Sequence, residues 1–318
     1  MSQPGSIEVR RARMVDLITR LAPSEGYTLS AVDGVAFMRS SRPLVRTPAL
    51  YEPSIVIVAQ GRKRGFHGGQ TYVYDAQHYL ALAVPLPFEI ETEASAEEPM
   101  LGVTIRIDLA TTAELALAVD DLRPQAEVRP ATLFATPLDD RLGDAALRLL
   151  EVLSDPVEAR LLAPGIVREI TYRVLTGEQG GGLRAALTQG GHFGRIAKAL
   201  RRIHAEYARP LDVATLASEA NMSVPTFHTH FKAVTTTSPI QYIKAMRLHH
   251  ARLLMVRRGL SAATASERVG YESASQFSRE FKRLFGRSPV DETRQLKDLL
   301  DLAPSVRHVS PARHALVS

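Results

Sequence analysis

Apolar and polar residues follow two different periodicities along the chain, and these separate a β-rich first half from a helical second half. Between residues 54 and 107, short β-branched or aromatic segments are separated by Gly, Pro or acidic residues. Strands at this spacing are typical of a small barrel or sandwich. A tight hairpin is predicted between His67 and Thr71, because the two glycines of "HGGQ" tolerate positive φ.

Helical periodicity replaces the strand pattern after Asp108. Apolar residues recur at steps of three and four up to residue 176, which predicts a set of amphipathic helices. Pro164 and Gly165 are expected to break the last of these helices in two. These helices either form dimer contacts or only close off the barrel core. The segment "GEQGGG", residues 177–182, has the composition of a flexible connector.

The remaining third of the chain is predicted to be entirely helical and contains an internal repeat. A long amphipathic helix is expected from Ser238-Pro239 to Gly259. Each side of it has two short helices joined by a tight turn, the pattern of a helix-turn-helix. Five positions are identical between the two copies at a constant offset of 50 residues: Phe227/Phe277, Phe231/Phe281, Lys232/Lys282, Ser238/Ser288 and Pro239/Pro289.

The repeat predicts two helices that each present an outward face to a partner. The phenylalanines lie at i and i+4 and therefore face inward, while Gln and Arg on the outward face can form bidentate contacts with base edges. The outward positions are Pro225, Thr226, His228, Thr229 and Lys232 in the first copy, and Ala274, Ser275, Gln276, Ser278, Arg279 and Lys282 in the second. The connecting helix, about 28 Å long, would hold them near the 34 Å repeat of successive major grooves.

Charge is distributed unevenly in a way that agrees with a polyanionic partner. Residues 192–298 contain 18 Lys and Arg against 9 Asp and Glu, although the whole chain has a net charge of only +5. This surplus is confined to the helical third, which indicates nucleic acid for that part of the chain. The chain has no cysteine and shows neither a membrane span nor a signal peptide, so we expect a soluble, cytoplasmic protein.

The segment "VGYESASQFSREFKRLFGRSP", residues 269–289, together with the first copy, resembles the DNA-binding domain of AraC/XylS-type bacterial transcription regulators. Upstream, residues 51–87 resemble the cupin-like effector domain of one branch of that family. The matching residues there are Tyr51, Pro53, Gln60, Gly61, Lys63, Tyr74 and Leu80. The resemblance implies base contacts by Pro225, His228, Thr229, Ala274, Ser275, Ser278 and Arg279.

Two departures from the family pattern affect the helix-turn-helix units. Thr236 stands where the family prefers glycine, and a β-branched residue with positive φ is strained, so the helix before it is expected to end differently. Ala265 and Ser266 replace Ile-Ala and are expected to weaken packing in the second copy. We therefore expect the second copy, through Arg279, to provide more of the sequence specificity.

Neither a metal site nor an enzyme site is predicted. His228 and His230 lie at i, i+2 on different helix faces, and the H-x-H signature of metal-binding cupins is missing. A cupin-type enzyme with a DNA-binding tether is the alternative function, but it would need clustered metal ligands. The stretch "GRKRGFH" can either bind an anion or form a solvated hairpin face. An effector pocket is predicted from Tyr51, Gln60, Phe66, Tyr72, Tyr79 and Phe88.

The sequence thus predicts an α+β multidomain protein: a cupin-like effector domain over residues 1–185, a double helix-turn-helix domain over 186–298, and a flexible tail over 299–318. Double-stranded DNA is the expected partner, along with RNA polymerase, a small-molecule effector and a second copy of the chain. No cofactor is expected. Whether transcription is activated or repressed stays open. Phosphate contacts are expected from Lys198, Ser223, Lys232, Ser273, Lys282 and Arg283.

Overall fold

The computed structural model describes residues 4–122, 131–188 and 192–301. Most of the tail predicted at 299–318 lies outside the described residues. The first half contains an antiparallel sheet preceded by one helix, and the rest of the described chain is mainly helical. This agrees with the α+β architecture expected from the sequence, with a curled cupin-like sheet followed by helical helix-turn-helix units.

Among the residues that the structure describes, ten strands form one antiparallel sheet. Its strands are β1 (Gly26–Leu29), β2 (Val35–Ser40), β3 (Leu44–Tyr51), β4 (Ser54–Gln60), β5 (Arg62–His67), β6 (Gln70–Asp75), β7 (His78–Leu82), β8 (Leu86–Glu93), β9 (Met100–Arg106) and β10 (Leu133–Pro137). Their order is β1-β2-β9-β4-β7-β6-β5-β8-β3, and β10 pairs with β7. The predicted hairpin is confirmed: His67 pairs with Gln70 around Gly68 and Gly69, whose φ values are 58° and 78°.

In the described part of the chain, six helices lie before the helix-turn-helix units. They are α1 (Pro4–Leu21), α2 (Leu109–Leu122), α3 (Asp140–Val152), α4 (Pro156–Thr176), α5 (Gly180–Thr188) and α6 (His192–Glu206). Asp139 and Asp155 cap α3 and α4, each with a carboxylate that accepts from backbone N–H groups of the first turn. Helix α1 and the sheet share one buried core with α3 and α4.

Two predictions about this helical region are wrong. Helix α4 continues through Pro164 instead of breaking there. Pro164 and Arg160 are both on the exposed side, so water can satisfy the carbonyl that lost its partner to proline. The second half of the expected connector is also helical, because α5 begins at Gly180. A Cβ at Gly180 would lie 2.2 Å from the carbonyl oxygen of Leu175, so this glycine permits a close contact between backbones.

The C-terminal part contains α7 (Val213–Glu219), α8 (Val224–Thr235), α9 (Pro239–Arg258), α10 (Ala262–Arg268), α11 (Ala274–Phe285) and α12 (Pro289–Asp301). The long helix predicted between the two copies is confirmed as α9, with Ser238 as its N-cap and Gly259 as its C-cap. Its 20 residues correspond to about 30 Å. The two copies therefore lie at opposite ends of one uninterrupted rod.

Candidate nucleic-acid interface

Both copies of the repeat fold as a helix-turn-helix, and the same local signals form each one. In the first copy, Asp212 caps α7 and Ser223 caps α8. In the second, Ser261 caps α10 and Ser273 caps α11. Each cap side chain accepts a hydrogen bond from a backbone N–H of the first turn, which fixes where the helix begins. The serine caps of the two second helices, Ser223 and Ser273, follow the 50-residue offset of the repeat and so give both copies the same helix start.

A pair of phenylalanines fixes which face of each second helix points outward. Phe227 and Phe231 of α8 are fully buried, with ring centroids 5.4 Å apart. Phe277 and Phe281 of α11 are buried in the same way, at 5.5 Å. The prediction that these four rings face inward is confirmed. Full burial of an aromatic side chain stabilises the fold by about 2 kcal/mol or more, so rotation of either helix about its axis is strongly disfavoured.

The predicted base-contacting side chains are accordingly at the surface. Seven of the eight are exposed and His228 is half-buried; the set is Pro225, His228, Thr229, Ala274, Ser275, Gln276, Ser278 and Arg279. In the second copy, Gln276 donates from Nε2 to Oε1 of Glu280 over 3.2 Å. His230, by contrast, stacks on the imidazole of His192 at the start of α6, with centroids 4.0 Å apart. The base contacts themselves stay a prediction.

The predicted phosphate-contacting residues flank these faces. All six are exposed: Lys198, Ser223, Lys232, Ser273, Lys282 and Arg283. Ser223 and Ser273 already bind the backbone of their own helices, at 3.4 Å to the amide of Thr226 and 3.2 Å to the amide of Gln276. Their hydroxyls therefore lie at helix N-termini, where backbone N–H groups point outward and favour anions.

Glu280 is a positioning residue of this surface that the sequence analysis missed. Its carboxylate accepts from Nζ of Lys244 on α9 and from the hydroxyl of Tyr271, both at 2.7 Å. Burial alone would raise the pKa of Glu280, but the hydrogen bonds from Lys244, Tyr271 and Gln276 outweigh it and lower that pKa. The ionised carboxylate ties α11 to α9 and orients the amide of Gln276. A glutamate between outward-facing residues gave no signal of this buried role.

Arginines on α9 connect the rod to its surroundings. Arg247 donates to the carbonyl oxygens of Tyr207, Gly270 and Arg209, at 2.7, 3.0 and 2.8 Å. Arg252 forms a buried ion pair with Glu292 of α12 over 2.9 Å. The bond to Gly270 braces the turn before α11, and the ion pair ties α12 to the rod.

Thr236 ends α8 in the left-handed conformation that glycine takes in the second copy. Its φ is 58°, and the φ of the equivalent Gly286 is 76°. The expectation that a threonine would make this helix end differently is therefore wrong. The side chain has a partner that the sequence did not reveal: Oγ1 of Thr236 lies 2.7 Å from Nε2 of His67, at the tip of the β5–β6 hairpin.

Further contacts bind the first copy to the β-sheet domain. The hydroxyl of Tyr242 on α9 donates to the carbonyl oxygen of Pro85 and lies 2.7 Å from Nε2 of His204. Burial, with a smaller contribution from His250, lowers the pKa of His204 to about 4, so its imidazole is neutral near pH 7. Thr132 donates to the carbonyl oxygen of Val234 at the end of α8.

The two helix-turn-helix copies belong to two different hydrophobic cores. Phe227, Phe231 and Tyr242 belong to the core that also fills the β-sheet domain. Phe277 and Phe281 belong to a separate core with Met255. Ala265 and Ser266 are fully buried in the second copy, where Ser266 donates to the carbonyl oxygen of Ala263 over 2.8 Å. The first copy therefore shares its hydrophobic core with the predicted effector domain, whereas the second copy contacts that domain through β3, where Arg252 of α9 donates to the carbonyl oxygen of Pro48 over 2.8 Å.

The six residues of the predicted effector pocket occupy different environments. Tyr51 and Phe88 are buried together, with ring centroids 4.6 Å apart. Phe66 lies on the opposite face of β5 from buried Lys63, contrary to expectation, and its ring contacts the guanidinium of Arg46 at 4.1 Å. Side chains alternate along a strand, and this register places Phe66 outward.

The other three pocket candidates have partners of their own. Gln60 donates to the carbonyl oxygen of Pro99 over 2.8 Å, and the hydroxyl of Tyr72 donates to Gln70 over 3.0 Å. Tyr79 packs edge-on against Phe134 of β10. Within the part of the chain that the structure describes, no three His, Asp or Glu side chains are grouped to hold a metal ion. None of the helices described is long and apolar enough to span a membrane.

Comparison with known proteins agrees with this architecture. The family profile described as the AraC-type transcriptional regulator N-terminus matches residues 31–182. A helix-turn-helix domain profile matches residues 216–295. The chain belongs to the AraC family of transcriptional regulators. The two matches correspond to the sheet domain with its helices and to both helix-turn-helix units of this AraC-family protein.

Individual relatives are similar over parts of the chain. The transcriptional regulator AlkR of Acinetobacter baylyi is 35% identical over 94 residues, which is 30% of this chain and 31% of AlkR. The transcriptional activator RclR of Escherichia coli is 34% identical over 87 residues, 27% of this chain and 31% of RclR. The matched segments thus span about a third of the length of these curated relatives.

Solved structures of ToxT from Vibrio cholerae share the fold. An apo ToxT variant superposes with a TM-score of 0.55 at 13% identity, covering 86% of this chain and 99% of that one. A ToxT complex with a substituted butenoic acid gives a TM-score of 0.57 at 13% identity, covering 82% of this chain and 99% of that one. At this identity the similarity shows the fold of the AraC-family chain and no more.

Proposed function

We propose that this protein is a transcription regulator that binds two adjacent major-groove half-sites through the outward faces of α8 and α11. The observation that supports this most strongly is the pair of exposed helix faces fixed at the two ends of α9. A rod of about 30 Å places them near the distance between successive major grooves on one side of B-DNA. A single chain would then make the contacts for which helix-turn-helix proteins usually need a dimer.

Base contacts in this proposal come from the exposed residues of the two helices, and Arg279 in the second copy is the main contributor. The guanidinium of Arg279 has five donors, and a bidentate contact with the O6 and N7 atoms of guanine uses two of them. Lys232, Lys282 and Arg283 contact phosphates and fix the register without selecting a sequence. RNA polymerase is the expected further partner of the DNA-bound protein.

The test is selection of binding sites from random duplex DNA by the full-length protein, repeated at several salt concentrations. The proposal predicts two short enriched motifs one helical turn apart, and binding that weakens steeply with salt as counterions are released. Salt-sensitive binding without an enriched motif would show a non-specific DNA-binding role instead. No binding at any salt concentration would contradict the proposal.

Control by a small molecule in the β-sheet domain is the second part of the proposal. The shared core and the Thr236–His67 contact give that domain a physical connection to α8. Solved complexes of ToxT contain an unsaturated fatty acid and a butenoic acid, which shows that this fold can hold such ligands in another protein. A ligand that favours one arrangement of the two domains would change DNA affinity by its differential binding.

Self-association through α4 is the third part. Val157, Leu161 and Leu162 are large apolar residues exposed on this helix, at 66%, 72% and 51%. Glu158 lies near its start, and Arg168, which also pairs with Glu114 of its own chain over 2.9 Å, lies near its end, so an antiparallel second copy would place opposite charges side by side. Sedimentation of Leu161→Glu should show a smaller species than wild type, and an unchanged mass would contradict this interface.

A further inference from the structure

Lys63 is a buried cation without a counter-ion among the described residues. It lies on the inward face of β5 and is 5% exposed. Its Nζ atom donates to Oγ1 of Thr92 over 3.0 Å, which uses one of three ammonium donors. The neighbours Arg62 and Arg64 point outward and form ion pairs with acidic residues. The cations on the outer face of this strand are therefore compensated, and the cation on the inner face is not.

The groups around Lys63 are hydroxyls, which can accept a hydrogen bond from its ammonium but carry no negative charge to neutralise it. Tyr74 lies directly across from it on β6, and Thr92 lies across on β8. The hydroxyls of Tyr74 and Tyr51 are 3.1 Å apart, and the hydroxyl of Tyr27 also hydrogen-bonds to Tyr51, so two bonds join three phenols and one phenol proton is left over. Burial raises the pKa of Tyr51 and Tyr74, which keeps them neutral at physiological pH. None of these groups is anionic, so the cluster carries one uncompensated positive charge.

Burying the Lys63 ammonium in this way lowers the stability of the ligand-free fold. A buried ammonium without a counter-ion loses its hydration and regains little from one hydroxyl. Burial lowers the pKa of Lys63 to about 8, so most of the ammonium is still charged near pH 7. Unfavourable charges of this kind are concentrated at functional sites, where a ligand supplies the missing interaction.

We propose that Lys63, with Tyr51, Tyr74 and Thr92, binds the carboxylate of a small monocarboxylic acid inside the β-sheet domain. One positive charge is balanced by one negative charge, whereas a phosphate dianion would leave an uncompensated negative charge in the same place. Phe88, which is buried against Tyr51, provides an apolar surface for the rest of the acid. This inference rests on the proposed control by an effector and specifies its chemical class.

The experiment is calorimetric titration of the full-length protein with acetate, butanoate and octanoate, with 1-octanol as the uncharged comparison. At least one acid should bind, and 1-octanol should bind about tenfold more weakly or not at all, because it lacks the charge-assisted hydrogen bonds. Lys63→Met should lose affinity for the acid by about tenfold or more. The matched control is Arg64→Met, which removes the adjacent outward cation and should bind the acid like wild type.

A second measurement does not depend on the choice of acid. Without ligand, Lys63→Met should raise the thermal midpoint at pH 7, because methionine fills a similar volume without a buried charge. The lowered pKa of Lys63 means that the destabilising charge is present below about pH 8 and is lost as pH rises towards the ordinary lysine value. The difference between Lys63→Met and wild type should therefore shrink in alkaline buffer.

Three results would overturn the proposal: no acid binding by wild type, acid binding by Lys63→Met at wild-type strength, or a lower midpoint for Lys63→Met than for wild type at pH 7. DNA binding by the same proteins separates this outcome from failure of the proposed function. Lys63→Met should select the same DNA motif as wild type, since Lys63 lies in the sheet domain. Loss of sequence selection by wild type itself would contradict the regulator proposal instead.

Discussion

Thr236 offers a test of how the β-sheet domain is coupled to the first helix-turn-helix. Its left-handed conformation costs a non-glycine residue about 1 to 2 kcal/mol, and its hydrogen bond with His67 returns about 0.5 to 1.5 kcal/mol. The two contributions nearly cancel. Thr236→Gly removes both the strain and the bond, so its free energy of unfolding should stay within about 0.5 kcal/mol of wild type.

Thr236→Val separates the two contributions, because valine keeps the branched Cβ and loses the hydroxyl. It retains the strain and leaves Nε2 of His67 without this partner, so we expect a loss of about 1 kcal/mol. Gly286→Thr is the matched control in the second copy. It adds the strain at a position where a Cβ meets nothing within 4 Å, and it should cost about 1 to 2 kcal/mol with no compensation.

Urea unfolding of the full-length protein measures these differences, and a double-mutant cycle isolates the pair. Combining Thr236→Val with His67→Phe should give a coupling energy of about 1 kcal/mol. Additive effects within about 0.3 kcal/mol, or a Thr236→Gly protein as unstable as Thr236→Val, would refute the reasoning. In that case Thr236 would be a strained residue with no role in domain coupling.

Three further predictions concern the DNA-binding region. Replacing Arg279 with Ala should cost about 1 to 3 kcal/mol at one base pair of the selected site, measured by competition between site variants; equal weakening at all sequences would show a phosphate contact only. Phe281→Ala should destabilise by about 3 to 5 kcal/mol in urea unfolding, since its ring is fully buried; a loss below about 1 kcal/mol would contradict the packing. Burial, with Arg252 and His250, lowers the pKa of His249 to about 3. Between pH 7 and pH 5 the free energy of unfolding of wild type should therefore fall by about 2 kcal/mol relative to that of His249→Leu. Parallel pH profiles of urea unfolding for the two proteins would contradict this burial.

The internal repeat made the helical third predictable from sequence. Serine caps, inward phenylalanines and the long connecting helix are local features with a fixed spacing, and all of them are present in the structure. The strands from 54 to 107 were recognisable because their pattern, short β-branched segments between Gly, Pro or acidic residues, is also local. Strands β1, β2 and β3 before them were not singled out, and α4 continues through a proline that the pattern treated as a break.

The contacts that join the two domains had no sequence signal. His67 and Thr236 are 169 residues apart, and Tyr242 reaches Pro85 across 157 residues. Local periodicity does not contain information about such pairs.

Lys63 illustrates a related difficulty. In "GRKRGFH" the sequence left open an anion site or a solvated face, and only the register of β5 separates the inward lysine from its outward arginine neighbours.

The central claim is that one rigid rod presents both helix-turn-helix units to two successive major grooves. The most direct measurement is the affinity of the full-length protein for its selected site after about five base pairs, half a helical turn, are inserted between the two motifs. The account predicts a loss of most sequence-specific affinity, because α9 cannot rotate one unit around the duplex to follow its motif. Unchanged affinity for the lengthened site would contradict the rigid geometry and the two-half-site mechanism.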